Sequence, residues 1–188
     1  PQGLHNTPTK MPARIQETLD GLSADTGLVI LGYGLCSNGV GGVVSRKAPL
    51  IVPRVHDCIA LLLGSHERYA AEMASCAGTY FITPGWANYG TTTQKYGEED
   101  ARWIAREMMK NYKRVALIDH GVGDMAKARA HAREMAEFFE LAYVEIPGTL
   151  DYFRRLVLGP WDGEDFLRLE PGQALTSLPF LGLETPGR

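Results

Sequence analysis

Four consecutive residues, Leu28-Val29-Ile30-Leu31, carry no polar side chain. In an extended chain neighbouring side chains point to opposite faces, so such a run is at ease only where both faces are covered. That is the setting of a central parallel strand, and the rest of the chain follows the same plan. Short β-favouring runs at Leu50–Val52, Thr79–Thr83, Arg114–Ile118 and Ala142–Ile146 alternate with stretches of helical spacing.

Pro1–Pro12 reads as a loop in which Thr7 caps a helix with Pro8 at its first position. Met11, Ile15 and Leu19 then recur every four residues, and Ser23–Thr26 is a turn. Asp57 caps a helix to about Leu63, and Ser65 caps another that carries Tyr69, Met73 and Cys76 until Gly78. Trp86–Gly97 is a polar, aromatic loop before a helix over Glu98–Tyr112. Asp124–Leu141 places Met125, Ala128, Ala132, Met135 and Phe139 on one face. Thr149 caps a helix to Leu158 that Gly159-Pro160 ends, and Phe166–Leu169 reads as a short edge strand.

This alternation predicts a three-layer α/β fold, a mostly parallel open sheet flanked by helices and Rossmann-like. A single domain is expected over residues 1–170, with the Pro/Gly-spaced residues 171–188 as a tail. A chain of 188 residues suffices for one domain with a substantial core. The formal net charge of -3 gives no electrostatic support for nucleic-acid binding. No apolar run approaches the roughly 18 residues of a membrane span, and the polar N-terminus is no signal peptide. Three cysteines make no disulfide framework in a chain this long, so thiols or metal ligands in a reducing, cytoplasmic setting are expected. The chain starts at Pro1 rather than Met and reads as a fragment or as the ordered part of a longer protein.

The least ordinary chemistry lies just beyond the strand ends, where open α/β sheets bind ligands. After the first run come Tyr33, Cys36 and Asn38 among five glycines, from Gly32 to Gly42. So many glycines cost entropy and have two readings. One is a nest of amides for an anionic substrate, with Tyr33, Asn38 and Gly39 as binding residues; the other is tight turns alone. Gly32-Tyr33-Gly34 lacks the full frame of a dinucleotide fingerprint. After the second run come Arg54, His56, Asp57 and Cys58. Residues i and i+2 of an extended stretch point the same way, so His56 and Cys58 can chelate together or pair imidazole with thiol. With Cys36 they make a Cys2His set suited to zinc or iron with one position open.

Each assignment has a plainer counterpart. His56 also reads as a hydrogen-bonded loop histidine, Cys58 as a small buried hydrophobe and Asp57 as a helix cap rather than an acid/base. Arg54 is a fork donor for a substrate carboxylate or phosphate, or a partner in a surface ion pair. Asp119-His120 ends a strand and reads as an acid/base or ligand pair, with His120 as the catalytic candidate, or as a helix-capping turn. Trp86 and Tyr89 cover the site or pack ordinarily. Cys76 continues an apolar stripe and reads as a core thiol. His131 and His66 read as solvated, and His5 is a weak further candidate.

The segments GYGLCSNGVGG, PRVHDCIALLLGS at 53–65, GTYFITPGW at 78–86 and PWDGEDFL at 160–167 resemble an uncharacterised bacterial and archaeal family, domain of unknown function 1638. The opening QGLHNTP resembles a segment inside that family rather than its start. The resemblance implies a preceding strand and loop with a further cysteine. It also implies a link to corrinoid-dependent methyl transfer and one-carbon metabolism, and Cys36, His56, Asp57 and Cys58 as motif residues. It implies no reaction.

Four functions stay open. The first is a metal-dependent enzyme or metalloprotein acting on a small anionic metabolite. Cys36, His56 and Cys58 hold zinc or iron, Arg54, Tyr33, Asn38, Gly39 and Trp86 bind substrate, and Asp57 or His120 moves a proton. The second is metal-free thiol chemistry with His56 as base. The third is a carrier or chaperone of a corrinoid or metallocofactor, and the fourth a structural or regulatory α/β protein. The partners expected are a small-molecule substrate, a second copy of the chain or a methyl-transfer protein, with no nucleic acid and no membrane.

Overall fold

The computed structural model of the chain describes residues 8–36, 38–88 and 99–181. Helices and small sheets alternate in an α/β fold, and the chain divides into two compact units. The first runs to Leu61 and resumes at Asp151; the second is Leu62–Leu150. Thr7, His5, Tyr89 and most of the expected Trp86–Gly97 loop lie outside the described residues.

In the first unit, helix α1 (Met11–Asp20) follows a short 3-10 turn at Pro8–Lys10 and buries Met11, Ile15 and Leu19, the expected stripe. Strands β1 (Val29–Ile30) and β2 (Leu50–Pro53) pair in parallel, with Val29 opposite Leu50 and Ile30 opposite Ile51. β2 also pairs antiparallel with β6 (Phe166–Leu169), from Leu50 opposite Leu169 to Pro53 opposite Phe166. The sheet order β1-β2-β6 therefore makes β2 the central strand among the described residues, and all four of its residues are buried. Among the described residues β1 pairs on one side only, with β2, and its Val29 and Ile30 are half-buried.

The core of this unit gathers α1, β2, Val40, Val43, Leu175 and Phe180. The last two lie in the stretch read as a tail. There Leu175 donates to the Val43 carbonyl at 2.9 Å and accepts from the Gly42 amide at 2.8 Å. Proline and glycine break regular elements in this stretch without preventing burial. Gln16 adds a device with no sequence signature. Its side-chain amide both accepts from the Val44 amide at 2.8 Å and donates to the Val44 carbonyl at 3.0 Å. Helix α6 (Asp151–Leu158) buries Tyr152 and Leu156, and Gly159 follows it at φ +69° with its amide on the Arg155 carbonyl.

Helix α2 (Cys58–Leu63) joins the units in sequence. In the second unit, α3 (His66–Ser75) is capped as expected by the Ser65 hydroxyl, which accepts from the Arg68 amide at 3.1 Å. Then β3 (Thr79–Ile82), α4 (Glu99–Met109), β4 (Arg114–Asp119), α5 (Met125–Phe138) and β5 (Ala142–Pro147) follow in turn. The three strands form an all-parallel sheet in the order β3-β4-β5. Parallel neighbours need a crossover between them, and the two helices supply it. Asp124 caps α5 by accepting from the Lys127 amide at 2.9 Å. Val115 and Leu117 on one face of β4 meet Ala128, Ala132 and Met135 of α5 in one cluster. Ala116 and Ile118 on the other face are fully buried too, so β4 has the covered setting that a continuous apolar strand requires.

Candidate functional site

The site grows out of the register between β1 and β2. The amides of Val29, Leu31 and Leu35 donate to the carbonyls of Pro49, Ile51 and Val55, each at 2.9 Å. Each reaches a carbonyl twenty residues further on, and Cys36 continues the series by donating to the His56 carbonyl at 3.0 Å. The two loops thus run side by side beyond the strands. Gly34 is what permits it: a Cβ there would stand 3.0 Å from the Val55 oxygen and 3.0 Å from the Asp57 carbonyl carbon.

This register sets Cys36 beside Cys58, with their Sγ atoms 3.0 Å apart. Both thiols are half-buried. The Gly34 amide points at the Cys58 sulfur from 3.5 Å. The Asp57 carboxylate accepts from the Ile59 amide at 2.8 Å and so secures the first turn of α2. Cys36 itself has φ +46°, a left-handed conformation that is uncommon for a residue with a side chain, and Asn38 has φ +65°. The turn that carries the thiol is therefore built on two non-glycine left-handed residues.

The two sulfurs are electrostatically unequal. Cys58 is held below the usual thiol range, first by the hydrogen bond from Cys36 and then by the Gly34 amide, against the opposing effect of burial. Cys36 is pushed up, first by that same bond, then by burial and by the charge on Cys58. The contact between the two sulfurs produces this split: it favours the charged form of Cys58 and the neutral form of Cys36. The negative charge of Asp57 works against the Cys58 thiolate.

The other expected residues divide between the units. In the first, His56 is exposed, and its carbonyl serves the loop pairing. Arg54 donates from Nε to the Pro179 carbonyl at 2.7 Å, and its amide donates to the Asp165 carbonyl at 2.8 Å. Tyr33 packs against the core of this unit. Gly39 lies so close to Met11 that a Cβ would stand 2.8 Å from its sulfur. The amides of Gly34, Leu35, Cys36, Gly39, Gly41 and Gly42 all find partners inside the chain. In the second unit, Trp86 lies edge-on to Tyr80 with ring centroids 6.1 Å apart. Asp119 accepts from the Gly121 amide and pairs with Arg129 at 2.6 Å, and Arg129 also reaches Glu145 at 3.0 Å. His120 is half-buried, and its buried Nδ1 has no hydrogen-bond partner among the described residues. Cys76 is the half-buried cap that ends α3 rather than a core residue. Among the described residues no group of three or more His, Cys, Asp or Glu side chains gathers as a metal cluster. None of the described helices is long and apolar enough to cross a membrane.

Sequence reasoning missed that the Cys36 amide meets the His56 carbonyl and so fixes the offset of the two loops. The signal available was the pair of matched strand–loop segments ending in Cys36 and Cys58. Together the fold and the site define an α/β protein with a polarised dithiol at the end of a parallel strand pair. The chain belongs to the family described as "Protein of unknown function (DUF1638)", whose model matches residues 1–157. That span includes both thiols, whereas the segment at 160–167 lies beyond it. No curated protein matches the chain, and no solved structure does.

Proposed function

We propose that this chain is a metal-dependent enzyme or metalloprotein acting on a small anionic metabolite, with Cys36 and Cys58 as paired ligands of zinc or iron. The observation that carries the reading is the approach of the two sulfurs to 3.0 Å from two different loops. Thiolates sharing a tetrahedral zinc at about 2.3 Å stand roughly 3.8 Å apart, so the pair fits one ion after opening by less than about 1 Å. His56 is the third ligand in this reading, although it is not grouped with the two sulfurs among the described residues.

Bound there, the metal supplies a Lewis acid that polarises a substrate oxygen or sulfur. The rest falls to the first unit's own side chains. Cys36 and Cys58 would hold the ion through their sulfurs, and Asp57 would move a proton. Arg54, Tyr33, Asn38 and Gly39 bind the anionic substrate. The link to one-carbon and corrinoid metabolism rests on the family resemblance, and binding of a corrinoid methyl-transfer protein to the purified chain tests it. The three-layer, Rossmann-like reading of the fold belongs to the same proposal. It is supported by the parallel succession β3-β4-β5 and is tested by an experimental structure.

Elemental analysis of the anaerobically purified chain tests the metal. Near-stoichiometric zinc or iron, lost in both Cys36→Ser and Cys58→Ser, supports the reading. A folded wild type without metal overturns it in favour of metal-free thiol chemistry. The observation favouring that second reading is the direct approach of the two sulfurs to 3.0 Å, with Cys58 held below the usual thiol range and Cys36 above it.

A further inference from the structure

The 3.0 Å between the Cys36 and Cys58 sulfurs is about 1 Å longer than a disulfide bond of roughly 2.05 Å. The backbones are already tied together where the Cys36 amide meets the His56 carbonyl at 3.0 Å. Both cysteines are half-buried rather than sealed in the core. Cys76, the remaining thiol, belongs to the other unit and caps α3.

We propose that Cys36 and Cys58 form a reversible dithiol–disulfide couple, oxidised by a low-molecular-weight disulfide. One of the two sulfurs attacks a sulfur of the reagent RSSR, a protein S–SR bond forms and RS⁻ leaves. The second protein sulfur then attacks the first, the S–SR bond breaks, and another RS⁻ leaves. The two protons of the protein thiols end on the two thiolates. The net change is two protein thiols and RSSR to one protein disulfide and two RSH, with two electrons passing from protein to reagent. Excess RSH runs the same steps backwards. The couple stands on the sulfur geometry alone. One consequence rests on the metal reading above: a disulfide has no thiolate left to bind an ion, so oxidation releases the metal.

The full-length chain, freed of metal with a chelator, is equilibrated in mixtures of reduced and oxidised glutathione. It is then quenched by alkylation and analysed by mass spectrometry. The expected result is that Cys36 and Cys58 become protected together, with the loss of two hydrogens and a Cys36–Cys58 cross-linked peptide. Cys76 stays alkylated, and reduced glutathione reverses the change. Cys76→Ser keeps the response, while Cys36→Ser and Cys58→Ser lose the cross-link. The proposal is overturned if both cysteines remain alkylatable at every ratio, if a stable glutathione adduct accumulates in place of the internal bond, or if Cys76 is the partner. The wild-type measurement needs no variant to fold. A parallel sample titrated with zinc separates the two readings. A disulfide in a chain that never binds zinc leaves the couple standing without the metal. Zinc binding that needs both cysteines, with no disulfide at any ratio, removes the couple alone.

Discussion

The two units solve the same problem, covering a small sheet, in different ways. In the second, the strands are parallel and successive, and β4 is sealed on both faces. In the first, the central strand β2 is held between β1 and a strand more than a hundred residues later, and main-chain bonds carry the pairing on into irregular loops. The polarised thiols lie in the irregular unit. The contrast teaches that precise placement of a reactive pair needs register, not regularity. Two loops locked by Leu35 and Cys36 amides position sulfurs as closely as a helix or strand does.

The contrast can be broken most sharply at β4. Leu117→Ala, at a fully buried site, is expected to lower stability by about 2–5 kcal/mol in urea denaturation. A loss of only a few tenths would mean that burial on both faces is not what holds that sheet. Next comes Arg114, which reaches Glu72 at 2.8 Å, the Thr79 hydroxyl at 2.7 Å and the Ser75 hydroxyl at 3.2 Å. Arg114→Ala leaves the partly buried Glu72 carboxylate without this partner and is expected to cost about 1–3 kcal/mol. In the first unit, Asp57→Ala removes the bond to the Ile59 amide and is expected to cost about 1 kcal/mol. Asp57→Asn keeps an oxygen for that bond but removes a charge that opposes the Cys58 thiolate. The pH midpoint for alkylation of Cys58 should therefore move down; an unchanged or raised midpoint would argue against the electrostatics described for the pair.

The smallest effect is a curve. Cys58 titrates below its unfolded value, so its contribution to stability is complete above the ordinary thiol range and is lost as pH falls through the folded value. Cys36 titrates above its unfolded value, so its contribution is complete below the ordinary range and is lost as pH rises toward the folded value. The difference in stability between wild type and the Cys36→Ser/Cys58→Ser double variant should thus peak near the ordinary thiol pKa of about 8.5 and fall on both sides. A difference that changes steadily with pH would show that the two thiols titrate independently.

Much of the second unit is legible from residues close in sequence. Ser65 and Asp124 cap their helices, and the stripe from Ala128 to Met135 faces the sheet, because caps and periodicity are local properties. The first unit is less so. The run Leu28–Leu31 has the composition of a central strand, and among the described residues it is β2 that lies between two partners, a position set by pairing with the distant β6. Leu175 and Phe180 are buried from a stretch whose prolines and glycines disguise it, and only contacts distant in sequence reveal it. At the site, the residue types named Cys36 and Cys58, but spacing could not give the offset of the two loops. That offset decided that Cys36 meets the other thiol and the His56 backbone. Asp119 looked like an acid/base group and is found paired with Arg129, because the cation lies on the next helix.

The antiparallel partner of β2 has a consequence for synthesis. Leu62–Leu150 is a continuous stretch, so every residue of the second unit has been translated before β6 exists. The first unit must wait, with β2 unable to complete its ladder until Phe166–Leu169 is translated. During that interval the edge that β6 later occupies is open to other chains, and two cysteines lie on the same unfinished unit. The nascent protein is therefore expected to depend on chaperones chiefly through the half that also carries Cys36 and Cys58.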